Sequence, residues 1–172
     1  MRPIARGSVL ALLEVLFVRK GQPEVVPHDN ALCPYGQRVF SEVSIVGIRE
    51  EARRIHGCGY NCAQSVFCAC GKYTGLDDKS TLAISAGFGG GVRSGEICGA
   101  ISGAVMALGY LTARDDPSSP AAKQTVAALA RDCVDSFRRQ YGCVRCEELK
   151  RAGVNCGELI EFCAQYVEDQ IK

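Results

Sequence analysis

Cysteine is the residue type in this sequence with the clearest capacity for chemistry: the chain has 172 residues and eleven cysteines. Cys98 follows the glycine-rich run 87–91 and begins the segment Cys-Gly-Ala-Ile-Ser-Gly, which predicts a helix that starts at a thiol. Cys62 follows Asn61, a residue type favoured as a helix N-cap. The unpaired N–H groups of a first helical turn favour a thiolate over a thiol. Both positions therefore indicate thiol chemistry or metal ligation.

The glycine run does not fit a phosphate-binding P-loop. That loop needs a Lys-Ser or Lys-Thr pair after its last glycine and a strand before its first. Here Arg93 and Ser94 follow the run, and a helix is predicted before it. We therefore assign the glycines to tight backbone turns. Gly99, Gly103 and Ala107 recur at four-residue spacing, which predicts close packing of their helix against another one.

The other cysteines give weaker signals. Cys143 and Cys146 form a CxxC, but zinc sites of this spacing normally contain a second pair, and no βαβ pattern surrounds it as in thioredoxin-like proteins. Cys133 and Cys163 each lie on the apolar face of a predicted helix. By spacing alone, these two cysteines are core residues.

The elements that must position these thiols are predicted to be helices, because apolar residues recur at helical spacing and no long alternating run occurs. We predict an all-α, compact single-domain bundle of five to seven helices over residues 45–172, with a Gly-rich loop and no sheet of three or more strands. Residues 1–44 contain Pro23, Pro27 and Pro34 and no long amphipathic period. They are predicted to be a poorly structured N-terminal extension, or a segment included by a wrongly chosen start codon. The predicted helices cover about 45–57, 61–69, 77–86, 98–110, 120–141 and 159–171, with a short turn at 146–149.

Composition excludes several classes of function. Lys and Arg number 20 and Asp and Glu 19, so the net charge is +1 and no basic surface for nucleic acid is expected. The apolar run 8–18 contains Glu14 and is too short to span a membrane, so we expect no membrane span. An odd number of cysteines cannot pair completely in intramolecular disulfides. We therefore expect a reducing compartment, the cytoplasm.

Several segments together resemble one family. They are 59–66 (Gly-Tyr-Asn-Cys-Ala-Gln-Ser-Val), the run 87–91, 95–103 (Gly-Glu-Ile-Cys-Gly-Ala-Ile-Ser-Gly), 146–149 and 163–169. Over residues 46 to 172 the chain resembles the C-GCAxxG-C-C family of redox-active proteins. The resemblance implies a compact helical protein with four characteristic cysteines, which fall here on Cys62, Cys98, Cys146 and Cys163. Because Ala164 stands where the family usually has proline, and the preceding loop is short, Cys156 remains an alternative to Cys163.

Three functions follow from these observations. The first is a redox-active thiol protein, either a thiol oxidoreductase or an electron-transfer accessory protein, which cycles dithiol and disulfide with a redox partner protein. The second uses the same four cysteines to bind an iron–sulfur cluster or zinc. The third is a non-catalytic structural or interaction module. For the first, we expect Cys62 and Cys98 to be close, and Cys98 to be acidic because of its helix start and nearby Arg93.

Overall fold

The structure is a computed structural model that describes residues 47–172. The predicted N-terminal extension, residues 1–44, lies outside the described residues, as does the beginning of the first predicted helix.

Between residues 47 and 172 the chain forms eight α-helices, and its only strand-like pairing is a single antiparallel bridge between Ile97 and Arg145. The predicted all-α class is confirmed. The helix number exceeds the predicted five to seven because two short helices form as well, one of them where a turn at 146–149 was predicted. The helices are α1 Ile48–Gly57, α2 Cys62–Ala69, α3 Gly71–Thr74, α4 Asp78–Ser85, α5 Gly99–Ala113, α6 Pro120–Tyr141, α7 Cys146–Arg151 and α8 Cys156–Ile171.

Polar side chains cap the first turns of several of these helices, including the one predicted at Asn61. Asn61 accepts hydrogen bonds from the N–H groups of Ala63 at 3.0 Å and Gln64 at 3.1 Å, and the Gln64 side chain accepts one from the Asn61 N–H at 3.1 Å. This reciprocal pair is a capping box. Asp77 caps α4, and Ser119 caps α6 ahead of a proline in its first turn. Local side-chain chemistry therefore sets the starts of α2, α4 and α6.

Small residues let α5 lie against α2. A Cβ added at Gly103 would stand 2.7 Å from the carbonyl oxygen of Ala63 and 3.0 Å from the Cβ of Val66. Ala107, one turn further along α5, is fully buried. The predicted close packing of this face is confirmed at Gly103, because a larger residue there would push the two helices apart.

The long helix α6 is attached mainly through its C-terminal half. Cys133 and Phe137 are fully buried, whereas Ala122 and Val126 on the same predicted stripe are only partly buried. The ring of Phe137 packs edge-on against that of Phe162 on α8, with centroids 5.8 Å apart. This contact joins α6 to α8 beside the cysteines of both helices. In the part of the chain that the structure describes, no helix is long and apolar enough to cross a membrane.

Candidate functional site

Cys62 and Cys98 are brought together by the contact between α2 and α5. Cys62 is the first residue of α2, and Cys98 is the N-cap of α5. A Cβ at Gly99 would lie 3.3 Å from the Cβ of Cys62 and 3.0 Å from the carbonyl oxygen of Phe88. Glycine at this position therefore permits the close approach of the two segments. The two thiols are near enough that charge on Cys98 raises the pKa of Cys62.

Cys146 joins this pair through main-chain pairing between two loops. The N–H of Cys98 donates to the carbonyl of Val144 at 2.8 Å, and the N–H of Cys146 donates to the carbonyl of Glu96 at 2.6 Å. The glycine-rich run passes directly over the third thiol, since a Cβ at Gly91 would be 2.8 Å from the Cβ of Cys146. Gly91 has φ = +68°, a value that suits glycine and rarely suits other residues.

Cys156 completes a cluster of four thiols. It is the first residue of α8, after Asn155, whose side chain accepts a hydrogen bond from the Gly157 N–H at 2.6 Å. Its thiol acts on that of Cys62 through a hydrogen bond and charge, and on those of Cys98 and Cys146 through charge. Electrostatic interactions thus connect all six pairs among Cys62, Cys98, Cys146 and Cys156, which we call the thiol cluster.

Each member of the thiol cluster stands at the beginning of a helix. Cys62, Cys146 and Cys156 are first residues, and Cys98 is an N-cap. Reasoning from the sequence identified the helix starts at Cys62 and Cys98, but gave Cys156 only as an alternative to Cys163. A signal for its helix start was available, because Asn155 precedes Cys156 as Asn61 precedes Cys62.

Cys163 lies on the core side of the cluster. It is fully buried in α8, and its thiol interacts most strongly with that of Cys133 on α6. Charge interactions still reach it from Cys98 and Cys62. The structure therefore brings Cys62, Cys98 and Cys146 together, adds Cys156, and places Cys163 in a second, fully buried pair behind them.

Comparison with known proteins identifies the family of this chain. A family model described as "Putative redox-active protein (C_GCAxxG_C_C)" matches residues 60–171. The chain belongs to this family. No curated protein and no solved structure matches it. The matched segment contains the whole thiol cluster and also Cys163, so membership of the C_GCAxxG_C_C family supports redox activity without choosing the fourth cysteine.

Burial controls the electrostatics of the thiols in this C_GCAxxG_C_C protein. Burial, followed by charge repulsion from Cys156 and Cys98, raises the pKa of Cys62 to about 12. Burial also raises the pKa of Cys98 to about 11, although the N–H groups of Ala100 and Ile101 act to lower it. Both thiols are therefore protonated at neutral pH.

The predicted acidity of Cys98 is accordingly wrong. Its helix start does favour the thiolate, but loss of hydration in the packed interior has the larger effect on the pKa. Arg93, the expected cationic neighbour, instead donates a hydrogen bond to the carbonyl of Ala86 at 3.0 Å. A helix N-terminus lowers a thiol pKa most effectively where water still reaches the sulfur, and Cys98 is only 2% exposed.

A metal centre requires donor side chains directed at a single point. Among residues 47–172, no group of three or more His, Cys, Asp or Glu side chains is arranged to hold a metal ion. Zinc and iron–sulfur clusters need several thiolates directed at one centre. The arrangement of donors in the described residues does not fit such a centre, and we derive no chemical step through one.

Proposed function

We propose that this chain is a thiol–disulfide redox protein in which Cys62, Cys98, Cys146 and Cys156 carry the chemistry, with Cys156 rather than Cys163 as the fourth member. The supporting observation is that the thiols of these four residues interact in every pairwise combination although the chain separates them by up to 94 positions. Dithiol chemistry requires that two thiols approach each other, because a disulfide forms only when their Cα atoms lie within about 7 Å.

The electrostatics of the cluster favour oxidation to a disulfide over the storage of thiolates. Burial and mutual repulsion raise the pKa values of Cys62 and Cys98, so ionising several of these thiols together costs free energy. A disulfide, like a pair of protonated thiols, carries no charge. The same cluster can hold two protonated thiols or one neutral disulfide without placing charge in the interior.

Cys156 is the member best placed to meet a redox partner protein. Cys62 and Cys156 are the two partly exposed thiols of the cluster, whereas Cys98 and Cys146 are buried. The pKa of Cys62 is raised to about 12, which leaves very little thiolate for attack. Cys156 follows the exposed cap Asn155, at the N-terminus of a helix of 16 residues.

The reaction can be written with all electrons accounted for. The Cys156 thiolate attacks a disulfide of the partner protein, forms a mixed disulfide and releases one partner thiolate. A second thiolate of the cluster then attacks the sulfur of Cys156, which forms an internal disulfide and releases the second partner thiolate. The partner gains two electrons and takes up two protons, and the two cluster thiols lose them. The reverse sequence oxidises a partner dithiol.

Disulfide mapping tests this function. The reduced full chain is oxidised with diamide, remaining thiols are blocked with N-ethylmaleimide, and the disulfides are located by peptide mass spectrometry. We expect a disulfide between two members of the thiol cluster, and its loss in Cys156→Ser. Cys68→Ser is the matched control, because that buried thiol contacts Thr81 outside the cluster. If the chain alone is treated with diamide and all four thiols of the cluster remain unoxidised, the proposal is contradicted.

The same preparation separates the other functions. Stoichiometric iron or zinc in anaerobically purified protein, lost in Cys98→Ser, would replace the dithiol function with metal binding. Unreactive thiols and no metal would leave a structural or interaction module. Repeated turnover of an excess of partner disulfide would identify an oxidoreductase, and a single two-electron exchange would identify an accessory electron-transfer protein. We propose the cytoplasm as the compartment, because a reducing environment keeps such thiols available.

A further inference from the structure

Charged side chains surround the short helix α7, and nearly all of them are engaged with one another. Lys150 differs from them, because no ion pair within residues 47–172 involves it, and its side chain is exposed. The engaged groups are Arg145 with Glu96 at 3.0 Å and with Glu148 at 3.2 Å, and Arg151 with Glu147. The ammonium of Lys150 is therefore a cation on α7 whose charge is not neutralised by a carboxylate in the described chain. Arg93, in the glycine-rich loop, also has no carboxylate partner there, but its guanidinium is bound to the Ala86 carbonyl at 3.0 Å.

Helical geometry places this ammonium beside one particular thiol. Cys146 and Lys150 are four residues apart on α7, and residues at this spacing lie on the same face of a helix. The main chain of Cys146 is held by its hydrogen bond to the Glu96 carbonyl, and its Cβ packs under Gly91. The position of the sulfur relative to the lysine is thus set by both the helix and the loop above it.

The groups that act on Cys146 are few. Burial raises its pKa, Lys150 lowers it, and the thiol of Cys156 raises it. The largest influences on the pKa of Cys62 all raise it, and among the largest influences on that of Cys98 the ones that lower it are the main-chain N–H groups of Ala100 and Ile101. The lysine therefore favours the thiolate at Cys146 specifically, next to Cys156.

We infer that Cys146 is the thiol that resolves the mixed disulfide on Cys156, and that Lys150 is a positioning residue that stabilises the attacking Cys146 thiolate. This inference rests on the proposed function. In the step, a Cys146–Cys156 bond forms, the bond between Cys156 and the partner sulfur breaks, and the partner leaves as a thiolate. Cys146 releases its proton to water before the attack, and the partner thiolate takes one up afterwards, so the chain loses two electrons and the partner gains them.

Site-specific alkylation tests the role of Lys150. The reduced full chain is treated with iodoacetamide at about pH 7, and trypsin separates Cys146, in peptide 146–150 (146–151 in Lys150→Met), from Cys98, in peptide 94–114. Because the charge of an exposed lysine is screened by water and has a modest effect, we expect Lys150→Met to slow labelling of Cys146 about two- to threefold at low ionic strength. The difference should disappear in 1 M salt, where the Debye length is about 3 Å. Lys150→Arg should label like wild type, and Lys123→Met, an exposed lysine on α6, is the matched control.

A trapping experiment tests the role of Cys146. With oxidised glutathione as the probe, Cys146→Ser should accumulate a glutathione adduct on Cys156, whereas wild type should release glutathione and form the Cys146–Cys156 disulfide. The inference is overturned if wild type keeps the adduct as Cys146→Ser does, or if Cys146→Ser gains none. It is also overturned if Lys150→Met leaves the labelling rate of Cys146 unchanged. The same holds if Lys150→Met slows the labelling of Cys98 as much as that of Cys146, which would indicate a structural change. Diamide oxidation distinguishes failure of the inference from failure of the proposed function. If a disulfide forms within the thiol cluster but the labelling and trapping results are not as expected, only the inference is refuted. If no cluster disulfide forms, the proposed function is refuted.

Discussion

Gly103→Ala tests whether close packing of α5 on α2 builds the thiol cluster. Alanine gains about 1 kcal/mol of helix propensity over glycine. The added Cβ, however, would stand 2.7 Å from the Ala63 carbonyl oxygen and 3.0 Å from the Val66 Cβ. Overpacking of this kind costs about 1–3 kcal/mol. Because the nearest obstacle is a main-chain atom, the helices must move apart, and we expect a net loss of up to about 2 kcal/mol in the free energy of unfolding.

Urea denaturation of the reduced chain, followed by circular dichroism, measures this loss. Gly109→Ala on the same helix is the matched control, since its Cβ would meet only the Val126 Cγ1 at 3.8 Å. We expect that variant to gain up to about 1 kcal/mol. The separation of α2 from α5 should also slow diamide oxidation of the cluster in Gly103→Ala, but not in Gly109→Ala. If Gly103→Ala is as stable as wild type and oxidises equally fast, the packing argument is refuted.

Three further predictions concern the core, the loop and pH. Cys133→Ala should lower the free energy of unfolding by about 1–2 kcal/mol, because it leaves a small cavity in the core, while disulfide mapping shows the cluster unchanged. Val92→Gly should raise that free energy by about 1 kcal/mol in urea denaturation, because valine at φ = +55° is strained. Thiol ionisation should leave the stability of the reduced chain unchanged between about pH 7 and pH 9 and lower it as the pH rises further. Unfolded thiols ionise near 9.0, while Cys98 and Cys62 stay protonated to about 11 and about 12 when folded. A melting temperature that rises between these pH values would contradict this assignment.

Local features of the sequence determined most of the secondary structure. Apolar periodicity predicted the helices, and Asn61, Asp77 and Ser119 cap them as their residue types suggest. The short helix α7 was missed, because six residues contain too little periodicity to distinguish a helix from a turn. The placement of Cys62 and Cys98 at helix starts was also available from the sequence, since caps and first turns depend on neighbouring residues alone.

Tertiary structure decided which thiols meet and how acidic they are. Cys156 and Cys163 both lie on α8, but Cys156 reaches the cluster at the N-terminus of that helix, while Cys163, two turns later, faces Cys133 in the core. Packing also decided the pKa of Cys98. The N–H groups at its helix start lower this pKa, but burial raises it by more. The sequence by itself determined the helices, their caps and the family, which arise from short-range interactions. The membership and protonation of the thiol cluster come from the approach of distant segments and the exclusion of water, which only the folded chain produces.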